Sequence, residues 1–275
     1  MSLERRCWPA LAWLMVSTAQ ADGTNGYVAT ASVQGDENDN RQWVGKLAVP
    51  LADHAWLQTS IGRTELADEA GGDLQTVGAA LGAGTASLDV AVEFAQRRGD
   101  AQFRQRDWAA TLDWHGGRGG LGADAFLRSA EGTAQTSSQG FGLHANFALT
   151  PRAALFGGAM RYRHEFSRET NAPQPGTPLS SLLGTPPVLS GVWREQAYID
   201  RSYRIGGSYR VRDAAVNAQY FHDRIANTGA VSNTVQLQAE FLLAQHWLIS
   251  PMIGLSSADG QQQVGYGGLT VGYAW

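Results

Sequence analysis

The sequence predicts an all-β chain, a transmembrane antiparallel up-and-down β-barrel of about fourteen strands, with twelve and sixteen as the neighbouring even counts. Three observations predict it. Most stretches after Asn25 alternate with a period of two, apolar on one face and polar or small on the other, which is the side-chain period of a strand. The connections alternate too: counted from the N-terminus, the odd-numbered ones are longer and more polar, and the even-numbered ones are tight. No segment is a long enough uncharged apolar run for a membrane-crossing helix, which needs roughly 20 residues. In lipid every backbone polar group must be paired inside the protein, and a closed sheet does this without edges.

Met1–Ala21 reads as a secretory signal peptide. Arg5 and Arg6 form a short basic start, CWPALAWLMV is an apolar run too short to span a bilayer, and Ala19-Gln20-Ala21 is a small-x-small cleavage site leaving Asp22 first. The single cysteine, Cys7, lies in this segment, so residues 22–275, the predicted barrel, carry no disulfide or thiolate chemistry. Only Asp22 to Asn25 precede the first strand, too little for an N-terminal plug.

The first strand is expected over Gly26–Gln34, with Tyr27, Ala29, Ala31 and Val33 on one face, before the acidic loop GDENDN. The second, Arg41–Leu51, turns Trp43, Leu47, Val49 and Leu51 outward. The third, Ala55–Thr64, groups Leu57, Thr59 and Ile61, which leaves Trp56 on the lumen parity. After ELADEAGGD come the fourth, Leu74–Gly84, and the fifth, Ser87–Gln96, where Leu88, Val90, Val92 and Phe94 oppose Asp89 and Glu93. The sixth, Phe103–Trp114, sets Trp108, Leu112 and Trp114 against Asp107 and Asp113. The seventh, Leu121–Ser129, sets Leu121 and Leu127 against Asp124 and Arg128. The eighth, Gln139–Leu149, sets Phe141, Leu143 and Phe147 against His144 and Asn146.

The ninth strand, Ala153–Phe166, puts Phe156, Met160 and Tyr162 outward and Arg161, Arg163 and Glu165 inward. Residues 167–193, rich in Pro, Ser and Gly, form the one long outer loop, and the patch of Leu179, Leu182 and Leu183 suits it for packing into the mouth, gating it or binding a partner. The tenth strand, Gln196–Val211, opposes Ile199, Tyr203, Ile205, Tyr209 and Val211 to Asp200, Arg204 and Arg210. The eleventh is Ala214–His222. The twelfth, Val231–Leu243, faces Gln236, Gln238 and Glu240 inward. The thirteenth, Trp247–Ser256, contains Pro251, which cannot donate to a ladder.

The closing stretch, QQQVGYGGLTVGYAW, puts Leu269, Val271, Tyr273 and Trp275 on one face and small or polar residues on the other. Tyr266, Gly268, Val271, Tyr273 and Trp275 fit a polar–x–Gly–x–x–apolar–x–aromatic ending with one more residue and a final aromatic. In this the chain resembles bacterial outer-membrane β-barrel proteins, porin-like in class, whose last strand carries such an assembly signal. It departs from them in ending on Trp, where Phe is commoner, and in placing Tyr in the polar slot. The resemblance implies a Gram-negative outer membrane as location, with outer-membrane lipid and the barrel-assembly machinery as partners. It also implies short periplasmic turns and long outer loops. Aromatic residues near strand ends fit two interfacial girdles: Tyr27, Trp43, Trp108, Trp114, Phe147, Tyr162, Tyr220, Trp247, Tyr273 and Trp275.

The inward parity carries the functional information. Asp89, Glu93, Asp107, Asp113, Asp124 and Glu240 form an acidic wall; Lys46, Arg128, Arg161, Arg163, Arg204 and Arg210 form a basic one. Opposed walls create a transverse field that orients polar solutes. About fourteen strands enclose a passage roughly 10–15 Å across, wide enough for small polar solutes or an extended exported polymer. The expected function is a channel, either a passive porin-like pore or the export conduit of a secretion apparatus with a periplasmic partner. A sealed barrel in which the charges pair across the lumen, acting as scaffold or surface-binding protein, is the alternative. An outer-membrane lipid hydrolase at the rim, built on His222-Asp223, is a weaker one, because no serine motif stands beside that pair. No cofactor is expected, no Cys/His cluster has metal-ligand spacing, and a formal net charge of −4 gives no reason to expect nucleic acid.

Overall fold

In a computed structural model the chain is a closed barrel of fourteen antiparallel strands, each hydrogen-bonded to its sequence neighbours, with the first paired to the last. The structure describes residues 27–65, 73–99, 103–131, 135–167, 199–212, 214–226, 229–243, 246–259 and 263–275. The expected signal peptide at 1–21 lies outside them, as does nearly all of the long loop expected over 167–193. The strands are β1 (Val28–Asp36), β2 (Arg41–Ala52), β3 (Ala55–Glu65), β4 (Leu74–Gly84), β5 (Leu88–Arg98), β6 (Arg104–Gly116) and β7 (Gly119–Glu131). They continue as β8 (Gln135–Ala148), β9 (Ala153–Ser167), β10 (Ile199–Val211), β11 (Ala214–Ile225), β12 (Val231–Leu243), β13 (Trp247–Ala258) and β14 (Val264–Ala274). Several run past the expected ends: β8 starts at Gln135 rather than Gln139, and β11 reaches Ile225 rather than His222. Apolar alternation marks only the part of a strand that meets an apolar medium, whereas backbone pairing continues through the polar residues beyond it.

Closure places both ends of the sheet on the side of the tight turns. Tyr27 N–H donates to the Trp275 carbonyl at 3.0 Å, Trp275 N–H donates back at 3.1 Å, and the two rings stack 5.8 Å apart. On the opposite side the β1–β2 turn is held by Asp36, whose Oδ1 accepts from the backbone N–H groups of Asn38 (2.9 Å) and Asn40 (3.1 Å). This lets Asp39 take a left-handed φ of 60°. Pro251 is accommodated at a local fault. It pairs with Leu269 of β14, but the β12–β13 register passes from Gln238↔Met252 to Phe241↔Ile249, skipping the positions around the proline.

The outside carries a continuous apolar belt. Outward residues run Trp114, Leu112, Ala110 and Trp108 along β6, and Trp247, Ile249, Pro251, Ile253 and Leu255 along β13. At about 3.4 Å per residue these stretches cover roughly 20–27 Å of strand, the scale of the ~25 Å apolar band of a membrane barrel. Ile61, Ile205 and Ile253 are 69%, 63% and 63% exposed. A surface on which every strand exposes such residues is stable against lipid and far exceeds the patches a protein in water tolerates.

Trp56 points inward, as its parity requires. Gly82, its cross-strand partner on β4, leaves the indole space that a Cβ would fill. The same arrangement seats Tyr266 against Gly254, Phe156 against Gly206 and Tyr162 against Gly140; a Cβ on Gly140 would come within 2.7 Å of the Tyr162 ring. Tyr162 is therefore an interior residue and not part of a girdle.

Candidate functional site

The barrel interior is built by the residues that alternate with the belt. On β5 and β6 the structure places Asp89, Glu93, Asp107 and Asp113 inward, with Asp124 inward on β7. Arg204 and Arg210 of β10 share the inward parity with Phe221 and Ala215 of β11.

Arg161 and Arg163 do not face the lumen. Arg161 pairs with Phe141 and Arg163 with Gln139, both on the outward face of β8, and the Arg163 side chain is 82% exposed. The expected parity of β9 is reversed. Its bulky apolar residues, Phe156, Met160 and Tyr162, fill interior space beside glycines, and its outward set is Leu155, Gly157 and Ala159 followed by the arginines. Large apolar side chains marked the lipid face elsewhere but mark the packed interior here. Arg161 also lies directly opposite Arg201; like charges opposed across strands cost roughly 0.2–1 kcal/mol.

Acidic and basic groups inside are interleaved, not set on opposed walls. Asp107 accepts from Arg128 Nε at 2.9 Å and Nη2 at 3.0 Å, from Gln105 Nε2 at 2.9 Å, and from Arg97 Nη1. This fork geometry is the strong form of a carboxylate–guanidinium contact. Arg128 also lies 5.0 Å over the Phe126 ring. The same row continues across the barrel wall, since Arg128 is opposite Ser138 and Ser138 opposite His164. His164 Nε2 donates to the Ile199 carbonyl at 2.8 Å, which leaves Nδ1 to accept from the Ser138 hydroxyl at 2.7 Å in the neutral ring.

Nearer the tight turns, His144 bridges two carboxylates: Nε2 lies 2.6 Å from Asp113 Oδ1 and Nδ1 2.8 Å from Asp124 Oδ2. With both carboxylates ionised, only a doubly protonated ring donates to both. Thr111 Oγ1 donates to the other Asp124 oxygen at 3.1 Å, and Gly122 leaves room for the imidazole. Asp89 meets His115 Nε2 at 2.7 Å. The sequence reading missed Arg97, His115, His144 and His164 as partners of these groups. Arg97 was recoverable by carrying the Asp89–Glu93 parity one step past the expected end of the strand. The histidine contacts depend on register between strands, which no single strand's pattern reports.

From β11 round to β1 the interior is mainly amide and hydroxyl. Thr234 and Ser256 share a hydrogen bond of 2.8 Å, Gln238 Nε2 donates to Ser250 Oγ at 2.8 Å, Tyr266 OH to Gln236 Oε1 at 3.2 Å, and Thr270 Oγ1 to Ser32 Oγ at 3.0 Å. Glu240 and Asp223 are the inward acids of this arc, and both are buried. In the half of the barrel nearer the long connections, the interior holds a cavity of about 440 Å³ whose lining includes Lys46, Glu93, Arg204, Gln236 and Tyr266.

The pair His222-Asp223 cannot act together. As neighbours on a strand they point to opposite faces: Asp223 is buried inside, while His222 lies outside, 2.9 Å from Asn233 Oδ1 and 6.2 Å from the Tyr203 ring. Among the described residues no group of three or more His, Cys, Asp or Glu side chains is arranged to hold a metal ion.

The architecture has known counterparts. A structure described as a bacterial polysaccharide outer membrane secretin superposes with a TM-score of 0.53 at 9% identity, covering 92% of this chain and 99% of that one. OmpT of Vibrio cholerae, expressed in the outer membrane, superposes with a TM-score of 0.52 at 10% identity, covering 91% and 98%. The chain has the closed up-and-down β-barrel fold of these outer-membrane proteins. No protein-family model matches it, and no curated protein matches it; at these identities the likeness to solved barrels is one of fold. Outer-membrane barrels of this kind place their tight turns in the periplasm and their long connections outside; here both ends of the sheet lie on the tight-turn side.

Proposed function

We propose that the barrel is a passive channel for polar solutes across the outer membrane, with the interior charges setting its ionic preference. The observation that carries this reading is the cavity on the side of the long connections, in whose mixed lining Lys46, Glu93 and Arg204 sit among amide, hydroxyl and apolar side chains. Asp89, Glu93, Asp107, Asp113 and Asp124 with Arg204 and Arg210 are the residues that shape the field inside. Export of an extended polymer through the same bore is the second form of this reading. The fold likeness to a polysaccharide secretin agrees with it at the level of architecture. Tyr266, Gly268, Val271, Tyr273 and Trp275 serve as the assembly signal read by the barrel-assembly machinery.

A sealed barrel is the competing reading. The burial of inward Gln58, His144, Asn217 and Ser250 in the periplasmic half favours it. Single-channel recording of the refolded chain in a planar bilayer separates the two. The channel predicts steady openings whose conductance rises with salt and a reversal potential that moves toward cation preference in Arg204→Glu. Silence from a barrel that migrates as folded would overturn the channel and leave the scaffold.

A further inference from the structure

We infer that the outer rim of the lipid-facing belt carries a binding site for phosphorylated lipid headgroups of the outer leaflet, centred on Arg161, Arg201 and Arg224. The belt ends abruptly on the side of the long connections, and on five strands the first outward residue beyond it is an arginine. These are Arg41 on β2, Arg63 on β3, Arg106 on β6, Arg161 on β9 and Arg201 on β10; on β11 Arg224 follows one step beyond His222. Chance placement of a cation at a membrane boundary explains one or two of these. It does not explain three on consecutive strands that face one another: Arg161 is the cross-strand partner of Arg201, and Arg201 is the partner of Arg224. Bare like charges in that arrangement repel, and an anion held between them removes the repulsion.

The surroundings fit a lipid better than a free ion. Phe141 lies beside Arg161, and below Arg201 the belt presents Tyr203 and Ile205, all three exposed on the outer face. Beside them is a surface hollow lined by Gln139, Phe141, Arg161, Arg163 and Asp200. A molecule with a phosphate above and acyl chains below meets both surfaces at once, with guanidinium forks suited to phosphate oxygens. Two carboxylates temper the site: Asp200 lies 3.6 Å from Arg201 and Glu165 lies 3.8 Å from Arg163. Arg161 and Arg224 make no ion pair among the described residues. The periplasmic rim has no such row; there Arg118, Arg152 and Arg212 sit singly on separate turns.

The test is native mass spectrometry of the folded full chain in detergent, with bisphosphorylated lipid A as the probe. The wild type is expected to retain bound lipid, and affinity should fall about fivefold for Arg161→Gln or Arg224→Gln alone and on the order of a hundredfold for R161Q/R201Q/R224Q. R118Q/R152Q/R212Q should bind as the wild type does, and lipid A stripped of its phosphates should bind the wild type no better than the triple variant binds the intact lipid. Equal affinity in the wild type and the single variants would overturn the site even if the triple variant failed to fold. Displacement of the lipid by millimolar inorganic phosphate would overturn the lipid as its occupant and leave a free-anion site.

Discussion

Two arcs of one interior solve the same problem differently. From β5 to β8 the inward charged side chains are locked together, as with Asp107 between Arg97 and Arg128 and His144 between Asp113 and Asp124. From β11 round to β1 they are mostly amides and hydroxyls in single hydrogen bonds, as with Thr234–Ser256 and Gln238–Ser250. Ion pairs give the first arc a fixed shape, because each partner left alone would be a buried charge. Neutral groups give the second arc a lining held by single hydrogen bonds, each of which can be lost without stranding a charge.

The difference can be broken most sharply at Asp107. Asp107→Asn leaves two buried guanidinium groups facing a neutral amide, and unfolding of the refolded barrel in urea should show a loss of about 3–5 kcal/mol. Replacing all three partners together, in D107L/R97M/R128M, should recover most of that loss; a triple variant as weak as the single one would show that the arc is more than a set of pairs. His144→Leu leaves Asp113 and Asp124 without their bridge. It should cost about 1.5–3 kcal/mol by the same unfolding measurement, the worth of hydrogen bonds to charged groups, and shift reversal potentials toward cations. The neutral arc should respond least. Thr234→Val removes one hydroxyl and should cost about 0.5–1.5 kcal/mol with no change in ion preference; a selectivity change there would erase the distinction between the arcs.

The fold was legible in the sequence because lipid imposes a strict rule on each strand. Leu88, Val90, Val92 and Phe94 announce β5 without help from any other part of the chain. The interior follows no such rule. It accepts Trp56, Phe156 and Tyr162 wherever a glycine opposite leaves space, so side-chain size misassigned β9 and with it Arg161 and Arg163. The acids were found because parity alone exposes Asp89, Asp107 and Asp124. Their partners were missed because His144 meets Asp113 and Asp124 only once β6, β7 and β8 are in register, and register is a property of the sheet.

The seating of interior aromatic rings against glycines ties residues far apart in sequence into shared inheritance. Gly82 with Trp56, Gly140 with Tyr162, Gly206 with Phe156 and Gly254 with Tyr266 each form a couple in which the ring lies over the place a methyl group would take. A mutation that gives such a glycine a side chain is survivable only after its aromatic partner has become small, and a ring can enter only where the glycine already stands. Across descendants of this sequence the two members of a couple should therefore change in that order or not at all, while the lipid-facing residues between them drift freely among apolar types.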